Sequence, residues 1–224
     1  RALLDNDIPF LFSCFVTDTL TDAAGNIAGV VISNRSGRQA VQASVIIDAT
    51  QYATVARVMD VPFREFKSGE QEFAFTVVGN SPKAGLRCTP RAAQFALKDS
   101  STAVLEYKIK SSINKDTFAA YQQIEQQARD LTWDADQMDS SDDLRFVPNN
   151  PVVSRQRHAS DLFDPNKIEP TSFQPQNPEN LFLLNGYADL SRSAAAEFLK
   201  PCTAMTAAEK ITQSVLNLCG QKKT

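Results

Sequence analysis

One stretch constrains the fold more than any other: the apolar run Val45-Ile46-Ile47, with Ser44 before it, ends abruptly in the polar turn Asp48-Ala49-Thr50. β-Branched residues that follow one another without polar alternation indicate a strand that is covered on both faces. In open α/β sheets a ligand binds where strands end and loops begin. The end of this strand is therefore the first place where we expect a binding site.

The composition of the chain limits the classes of partner. The 224 residues are enough for one large domain or two small ones, and a hydrophobic share of 42% is ordinary for a soluble globular protein. A net charge of -3 argues against a nucleic-acid partner, and Lys222-Lys223 is interpreted as a solvated tail. No apolar run approaches the length of a transmembrane helix. The chain begins at Arg1 without a methionine, so its sequence leaves the cellular location open.

The first part of the chain has the pattern of an antiparallel meander. Strands are predicted over Ile8–Leu20, Ile27–Ser33 and Gln39–Ile47, because these aromatic and β-branched segments are separated by turn sequences. The last of them delivers Asp48 to its turn. Residues Tyr52–Met59 follow as one or two predicted helical turns.

The middle of the chain is predicted to be mixed. Strands are expected over Phe73–Val78 and Thr102–Ser111, and Asn114 is expected to cap a helix. The apolar face of that helix is formed by Phe118, Tyr121, Ile124, Ala128 and Leu131. Residues 147–178 contain six prolines, which predicts an extended connection between two substructures.

The last part of the chain returns to regular structure. Leu181–Leu184 is predicted to be a short buried strand that ends at Asn185-Gly186. A helix is predicted over Ser191–Leu199, with its first residue as the cap. Pro201 is expected to end that helix, and Thr203 is expected to cap the final one.

Metal ligands are scarce in the sequence. The four cysteines form no C-x-x-C pair and the chain has one histidine, so a zinc site is poorly supported. The acidic segment Asp134–Asp143 lacks the alternating carboxylates, the glycine and the final glutamate of a calcium loop. We therefore predict no metal site.

Two stretches together resemble a known family. The first is Gly29–Ala40 followed by Ile47-Asp48-Ala49-Thr50, and the second is Asn180–Gly186 followed by a loop and an alanine-rich helix. In this order they resemble FAD-dependent oxidoreductases of the two-dinucleotide-binding-fold type. The likeness is closest to a bacterial group in which some members carry the label xanthan lyase. It covers residues 8–63 and, less closely, residue 180 to the end.

The resemblance implies a mixed α/β fold, α+β for this segment. It would comprise an incomplete FAD/NAD(P)-binding fold with an antiparallel β-meander and an inserted β-rich, substrate-type domain. The partial FAD-binding domain would span residues 1–62 and 179–224, and the insertion residues 63–178. The implied cofactor is FAD, and the implied function is flavin-mediated redox of an unidentified small-molecule or saccharide substrate.

The resemblance also implies a set of cofactor contacts. The residues concerned are Val16, Asp48, Ala49, Thr50, Gln51, Gly186, Cys202 and Thr203. Val16 would lie near the adenine, the Asp48 turn against the dinucleotide, and Gly186 beside the flavin. The first N–H groups of the last helix, over residues 202–206, would point at the anionic edge of the flavin.

Three departures separate the chain from the family pattern. None of its eight glycines form the phosphate-binding spacing G-x-G-x-x-G, Gln51 stands where the family has glycine, and Ala207 and Ala208 stand where glycines are expected. The chain therefore resembles a later portion of such a protein, which alone is expected to bind FAD weakly or not at all. A non-catalytic binding or structural module that has lost the cofactor is the alternative, and a polysaccharide lyase is the weakest.

Three residues are candidates for catalysis, and each has a structural alternative. His158 is a plausible base or a surface residue of a polar loop. Arg192 would bind an anionic substrate or form a salt bridge with Asp189. Tyr187 would face a cofactor or close the core. The sequence does not decide among these roles, and it leaves the oligomeric state open.

Overall fold

A computed structural model of the chain describes residues 1–91 and 102–221, so Lys222-Lys223 lies outside the described residues. The elements are α1 (Ala2–Asp5), β1 (Phe15–Thr21), β2 (Ile27–Asn34), β3 (Gly37–Gln42), β4 (Ile46–Asp48), α2 (Thr54–Val58), β5 (Gly69–Gly79), β6 (Arg87–Arg91), β7 (Ala103–Ile113), α3 (Phe118–Thr132), β8 (Asp139–Ser140), a 3₁₀ turn (Pro170–Phe173), β9 (Leu181–Leu183), α4 (Arg192–Phe198) and α5 (Pro201–Gln221). The fold is mixed α/β with antiparallel sheets, as predicted.

The described chain forms two compact units. Residues Arg1–Arg64 and Asn150–Thr224 make up the first unit, and residues Glu65–Asn149 make up the second. Residues 150–178, which the sequence analysis assigned to the insertion, therefore group with the first unit. Backbone hydrogen bonds hold them there: Val152 N donates to Tyr187 O at 2.8 Å, and Val153 N donates to Pro62 O at 2.8 Å.

The first unit begins with the antiparallel meander β1-β2-β3. The prediction that the first strand starts at Ile8 is wrong, because pairing with β2 begins only at Phe15, opposite Ser33. Among the described residues, no strand pairs with the segment upstream of Phe15, and Phe12 in that segment is 83% exposed. Apolar composition alone does not make a strand where no ladder satisfies the backbone.

The predicted strand Gln39–Ile47 is in fact two strands in two different sheets. The meander ends after β3, where Ala43 N donates to Ala28 O at 3.0 Å. Ile46 N then donates to Asn180 O at 2.9 Å, and β4 pairs in parallel with β9. Ile47 is 44% exposed, so the expectation that both faces of this strand are covered is wrong for this chain.

The core of the first unit lies between these strands and helix α2. It consists of Ile27, Ala53, Val55, Ala56, Val61, Val152, Leu181, Leu183 and Tyr187. Val16 packs against this core from β1, and the 3₁₀ turn contributes the buried Phe173 beside Phe198 of α4 at a ring distance of 5.2 Å. The ends of β4 and β9 are thus anchored by a shared set of buried side chains.

One glycine of the meander has no room for a side chain. A Cβ atom on Gly29 would lie 2.2 Å from the carbonyl oxygen of Val41 on β3. We expect Gly29→Ala to lower the free energy of unfolding by about 2 kcal/mol, because the obstacle is backbone that moves only if the β2–β3 pairing opens. Gly79→Ala is the matched strand control, since its nearest atoms lie at 3.8 Å. Equal urea midpoints for the two variants would contradict the close approach.

The predicted helices of the first unit are found with one shift. Ser191 caps α4 as predicted, accepting a hydrogen bond from Ala194 N at 3.1 Å. The final helix begins at Pro201, so the prediction that Thr203 caps it is wrong. Proline suits the first helical position because the missing N–H has no intrahelical partner there.

The second unit is a four-stranded antiparallel sheet in the order β6-β7-β5-β8 with helix α3 beside it. Residues on alternate positions of β5 and β7 are buried, and Tyr121 of α3 stacks on Phe146 at 4.7 Å. The cap of α3 is Thr117 rather than Asn114. Phe118 and Leu131, predicted for its apolar face, are 66% and 42% exposed, because they flank the stripe that meets the core.

A charged residue interrupts the buried positions of the second unit. The Glu106 side chain on β7 is only 7% exposed, and it accepts hydrogen bonds from Arg91, at 2.8 Å, and from Arg145. Burial raises the pKa of Glu106, but these two arginines outweigh burial and hold it below its usual range. The carboxylate is therefore buried as a partnered anion.

The structure also describes the cysteines, the possible metal ligands and the character of the helices. Cys14, Cys88, Cys202 and Cys219 are free thiols. Among residues 1–91 and 102–221, no group of histidine, cysteine and carboxylate side chains is placed to hold a metal ion. None of the described helices combines the length and the apolar character that crossing a membrane requires.

Candidate cofactor site

The parallel pairing of β4 with β9 brings together the two stretches that carry the sequence resemblance. Ile46 lies opposite Leu181 and Asp48 lies opposite Leu183, so both strands end at the same edge. Beyond the strands the contact continues, because Leu184 N and Asn185 Nδ2 donate to the carbonyl oxygen of Asp48 at 2.9 and 3.0 Å. The turn after β4 and the loop after β9 are therefore neighbours.

The carboxylate of Asp48 organises the turn after β4. It is 1% exposed and accepts from Thr50 N at 3.0 Å, Thr50 Oγ1 at 2.6 Å, Val55 N at 2.9 Å and Ala56 N at 3.2 Å. The last two groups are N–H groups at the start of α2, which have no intrahelical acceptor. Asp48 thus holds the turn and the helix start together.

The other residues of the turn, Ala49, Thr50 and Gln51, differ in how exposed they are. Thr50 Oγ1 also accepts from Thr54 N at 2.7 Å, so this hydroxyl is engaged inside the turn. Ala49 is exposed and Gln51 is half-buried. Of the four predicted contact residues in this turn, Ala49 has the most open side chain.

The loop after β9 is buried. Asn185 Oδ1 accepts from Tyr187 N at 3.0 Å, and Ala188 N donates to Asn185 O at 3.2 Å. Gly186 is buried, and Tyr187 is fully buried with its ring edge-on to Phe63 at 5.7 Å. The structure therefore places Tyr187 in the core of the first unit.

Asp189, in the same loop, is a buried carboxylate with arginine and serine partners. Its side chain is 0% exposed and accepts from Arg64 Nε at 3.0 Å and Arg64 Nη2 at 2.8 Å. Ser154 adds its N–H at 3.2 Å and its hydroxyl at 2.9 Å, and Arg157 Nε lies 3.7 Å away. The hydrogen bond to Asp189 raises the pKa of Arg64, against the lowering effect of burial.

The other two catalytic candidates have different surroundings. The Nε2 atom of His158 lies 3.2 Å from the carbonyl oxygen of Leu162, and its ring lies edge-on to Phe163 at 6.2 Å. Arg192 is exposed at the start of α4. The alternative role of Arg192, a salt bridge with Asp189, is wrong, since Arg64 and Arg157 take that place.

The start of α5 leaves backbone donors open. The N–H groups of Cys202 and Thr203 donate to no other described residue, and the first bond of the series runs from Ala204 N to Lys200 O at 2.9 Å. Cys202 is exposed and Thr203 is half-buried. The positive end of this 21-residue helix thus carries two free donors.

A comparison of the chain with protein-family profiles shows which family it belongs to. The profile described as FAD dependent oxidoreductase matches residues 1–208. The chain belongs to the FAD-dependent oxidoreductase family. No curated protein sequence matches this member of the family.

Solved structures similar to this FAD-dependent oxidoreductase family member include three oxidation enzymes. BexE, studied for oxidation during BE-7585A biosynthesis, aligns at 10% identity and a TM-score of 0.49, covering 92% of this chain and 38% of its own. The anhydrotetracycline hydroxylase OxyS from Streptomyces rimosus aligns at 12% identity and 0.44, covering 92% and 40%. Glycine oxidase from Geobacillus kaustophilus aligns at 13% identity and 0.39, covering 89% and 48%. The chain therefore spans less than half the length of each.

The predicted contact residues fit a dinucleotide cofactor in part. Ala49 offers a small, exposed side chain at a strand end, and the open N–H groups of Cys202 and Thr203 suit an anionic group. Asp48 and Thr50 face their own turn instead. The structure brings the turn and the loop together, and it places Val16 at the second position of β1.

Sequence reasoning missed the partners of Asp189. Arg64 is 125 residues away along the chain, and Ser154 is 35 residues away. No local pattern links them, since side-chain pairs of this separation are decided by the folded path of the chain. The one available signal was the cluster Arg155, Arg157 and His158 in a proline-rich segment.

Proposed function

We propose that the protein carrying this chain is a flavoenzyme that oxidises or reduces a small molecule, and that the first unit supplies part of its FAD site. The proposal is carried by one observation: the turn after β4 and the loop after β9 meet at the ends of two parallel strands. Ligands bind at such edges in open α/β sheets. Membership of the FAD-dependent oxidoreductase family supports the choice of ligand.

In the proposed site, three parts of the chain act on the cofactor. The Ala49–Gln51 turn lets the backbone approach the dinucleotide, and Gly186 does the same beside the flavin ring system. The N–H groups of Cys202 and Thr203 donate to an anionic edge. When bound, the flavin supplies the redox chemistry, and the chain supplies orientation and electrostatics.

The proposal also assigns the remaining candidate residues. Val16 lies near the adenine in this proposal, and the second unit provides substrate contacts. Arg192, exposed at the start of α4, and His158, half-buried, remain candidates for contacts with substrate. Tyr187 is fully buried, so a lyase mechanism that used it as a base has no support.

The experiment is a visible absorption spectrum of the purified full-length protein, with and without added FAD. We expect flavin bands that survive gel filtration. In Ala49→Phe, flavin affinity is expected to fall by at least about tenfold, because a large ring fills the space that the small residue leaves for the cofactor. Ala24→Phe, in the exposed turn after β1, is the matched control and should retain the bands.

A protein without flavin bands that takes up no added FAD would reject the flavoenzyme proposal. That result would favour the alternative of a binding or structural module that has lost the cofactor. Gln51, which stands where the family has glycine, gives this alternative its support, because a side chain there occupies space beside the turn.

A further inference from the structure

We propose that Arg157, held beside the Arg64–Asp189 pair, is a binding residue for an anionic oxygen group, either a carboxylate or a phosphate, on the ligand of the first unit. The inference rests on the proposed function only for the identity of that ligand. The presence of the site follows from the contacts of Asp189.

Four hydrogen bonds hold the Asp189 carboxylate without any from Arg157. An ionised carboxylate has about four lone-pair sites. Arg64 Nε donates to Oδ1 and Arg64 Nη2 donates to Oδ2, while Ser154 donates to Oδ2 with both its N–H and its hydroxyl, so Oδ2 accepts three bonds and Oδ1 accepts one. Arg157 Nε, at 3.7 Å, is close enough for attraction but beyond hydrogen-bond distance.

The charges around Asp189 do not balance. Arg64 alone neutralises the buried carboxylate with a two-pronged contact. Arg157 adds a second positive charge beside this single carboxylate. Glu179 pairs with Arg155. Asp161, further along the same segment, accepts from the neutral hydroxyl of Ser193 at 2.5 Å. Within the described residues, Arg157 forms no other ion pair.

The backbone that carries Arg157 is fixed from both sides. His158 N donates to Asp189 O at 2.9 Å and Ser191 N donates to His158 O at 2.8 Å, while Arg155 N donates to Gln174 O at 3.2 Å. The Arg157 side chain is still 46% exposed, so a ligand can reach it. A guanidinium on a fixed backbone, with its planar donors open, is suited to carboxylate and phosphate oxygens.

The site also lies next to the loop that the proposed function assigns to the flavin. Asp189 is three residues beyond Gly186, and Asp189 N donates to Ser172 O at 2.9 Å, which holds this part of the loop in place. An anion bound by Arg157 would therefore sit beside that loop. Either the phosphates of the cofactor or a carboxylate of the substrate would provide it.

The test is isothermal titration calorimetry of the full-length protein with sodium pyrophosphate and, separately, with sodium succinate, at constant ionic strength set with chloride. We expect the protein to bind at least one of them. Arg157→Gln should weaken that binding by about ten- to a hundredfold, since a charge-assisted contact is lost. Arg155→Gln is the matched control, because Arg155 is on the same segment and is engaged with Glu179.

The outcomes separate the two ligand sources. Binding of pyrophosphate that depends on Arg157 indicates a phosphate of the cofactor, and binding of succinate that depends on it indicates a carboxylate substrate. The inference is overturned if the unaltered protein binds neither anion, if Arg157→Gln binds as the unaltered protein does, or if Arg155→Gln causes the same loss. Circular dichroism will show whether Arg157→Gln folds. If it does not, Arg157→Met takes its place in the same titrations.

No FAD is added in these titrations and the heat measured is that of anion binding, so the two proposals fail separately. A protein that takes up no flavin but binds succinate through Arg157 keeps this site and loses the flavoenzyme assignment. A flavoprotein whose anion binding is unchanged in Arg157→Gln keeps that assignment and loses this site.

Discussion

Replacing Arg64 with methionine is expected to lower the free energy of unfolding of the chain by about 3–5 kcal/mol, because it leaves a buried carboxylate without its main partner. Asp189 is 0% exposed, and Arg64 provides two of its hydrogen bonds. In the variant, the Asp189 carboxylate keeps Ser154 and the more distant Arg157 as partners. The measurement is urea unfolding followed by far-ultraviolet circular dichroism.

The control for Arg64→Met is Arg155→Met, which removes an arginine of equal side-chain exposure, 37%, from a partner that is 60% exposed. A surface pair of this kind contributes about 0–1 kcal/mol, so this control should change the midpoint little. The decisive addition is the double variant with Asp189→Asn. Its cost should be well below the sum of the two single costs, since the unpaired charge disappears with its partner. Additive costs would show that Arg64 and Asp189 do not act as a pair.

Asp48→Asn is expected to cost about 4 kcal/mol, although it preserves the size of the side chain. The amide group can replace one carboxylate oxygen, but the other becomes an NH₂ donor that faces the N–H groups of Val55 and Ala56. Each buried donor left without an acceptor costs about 1–3 kcal/mol. The start of α2 and the turn before it should loosen together.

The readout for Asp48→Asn is again the urea midpoint, with flavin uptake as a second measurement. Flavin uptake should fall as well, because the substitution disturbs the turn on which Ala49 lies. Asp18→Asn is the control, since Asp18 is 58% exposed, forms a surface pair with Arg38 at 3.6 Å and accepts a local hydrogen bond from Thr19 N at 2.8 Å. Equal stability of the two variants would mean that the buried carboxylate of Asp48 does not hold the turn.

The sequence predicted those elements whose signals are local. Ser191 caps α4 because its hydroxyl reaches an N–H three residues later, and such a bond depends only on neighbouring residues. The strands β2 and β9 were also placed correctly, since short β-branched or aromatic runs between turn residues have few other conformations. The mixed α/β class followed from the order of these elements and from the resemblance.

The elements that the sequence misplaced depend on partners elsewhere in the chain. Residues 8–14 are apolar enough for a strand, yet none of the strands that the structure describes pairs with them. The single predicted strand before Asp48 became β3 and β4, because hydrogen bonds to Ala28 and Asn180 draw its two halves into different sheets. A propensity describes one residue, whereas a sheet needs two strands in register.

By itself, the sequence determined that a strand ends at Asp48 and that a second ends before Gly186, and it identified the family to which both belong. Only the tertiary structure decided that these ends are neighbours, that the Asp48 carboxylate is used within its own turn, and that Asp189 pairs with Arg64 and not with Arg192. The physical reason is that a buried charge must find its partners in space. Those partners lie as far as 125 residues away along the chain, where no local pattern records them.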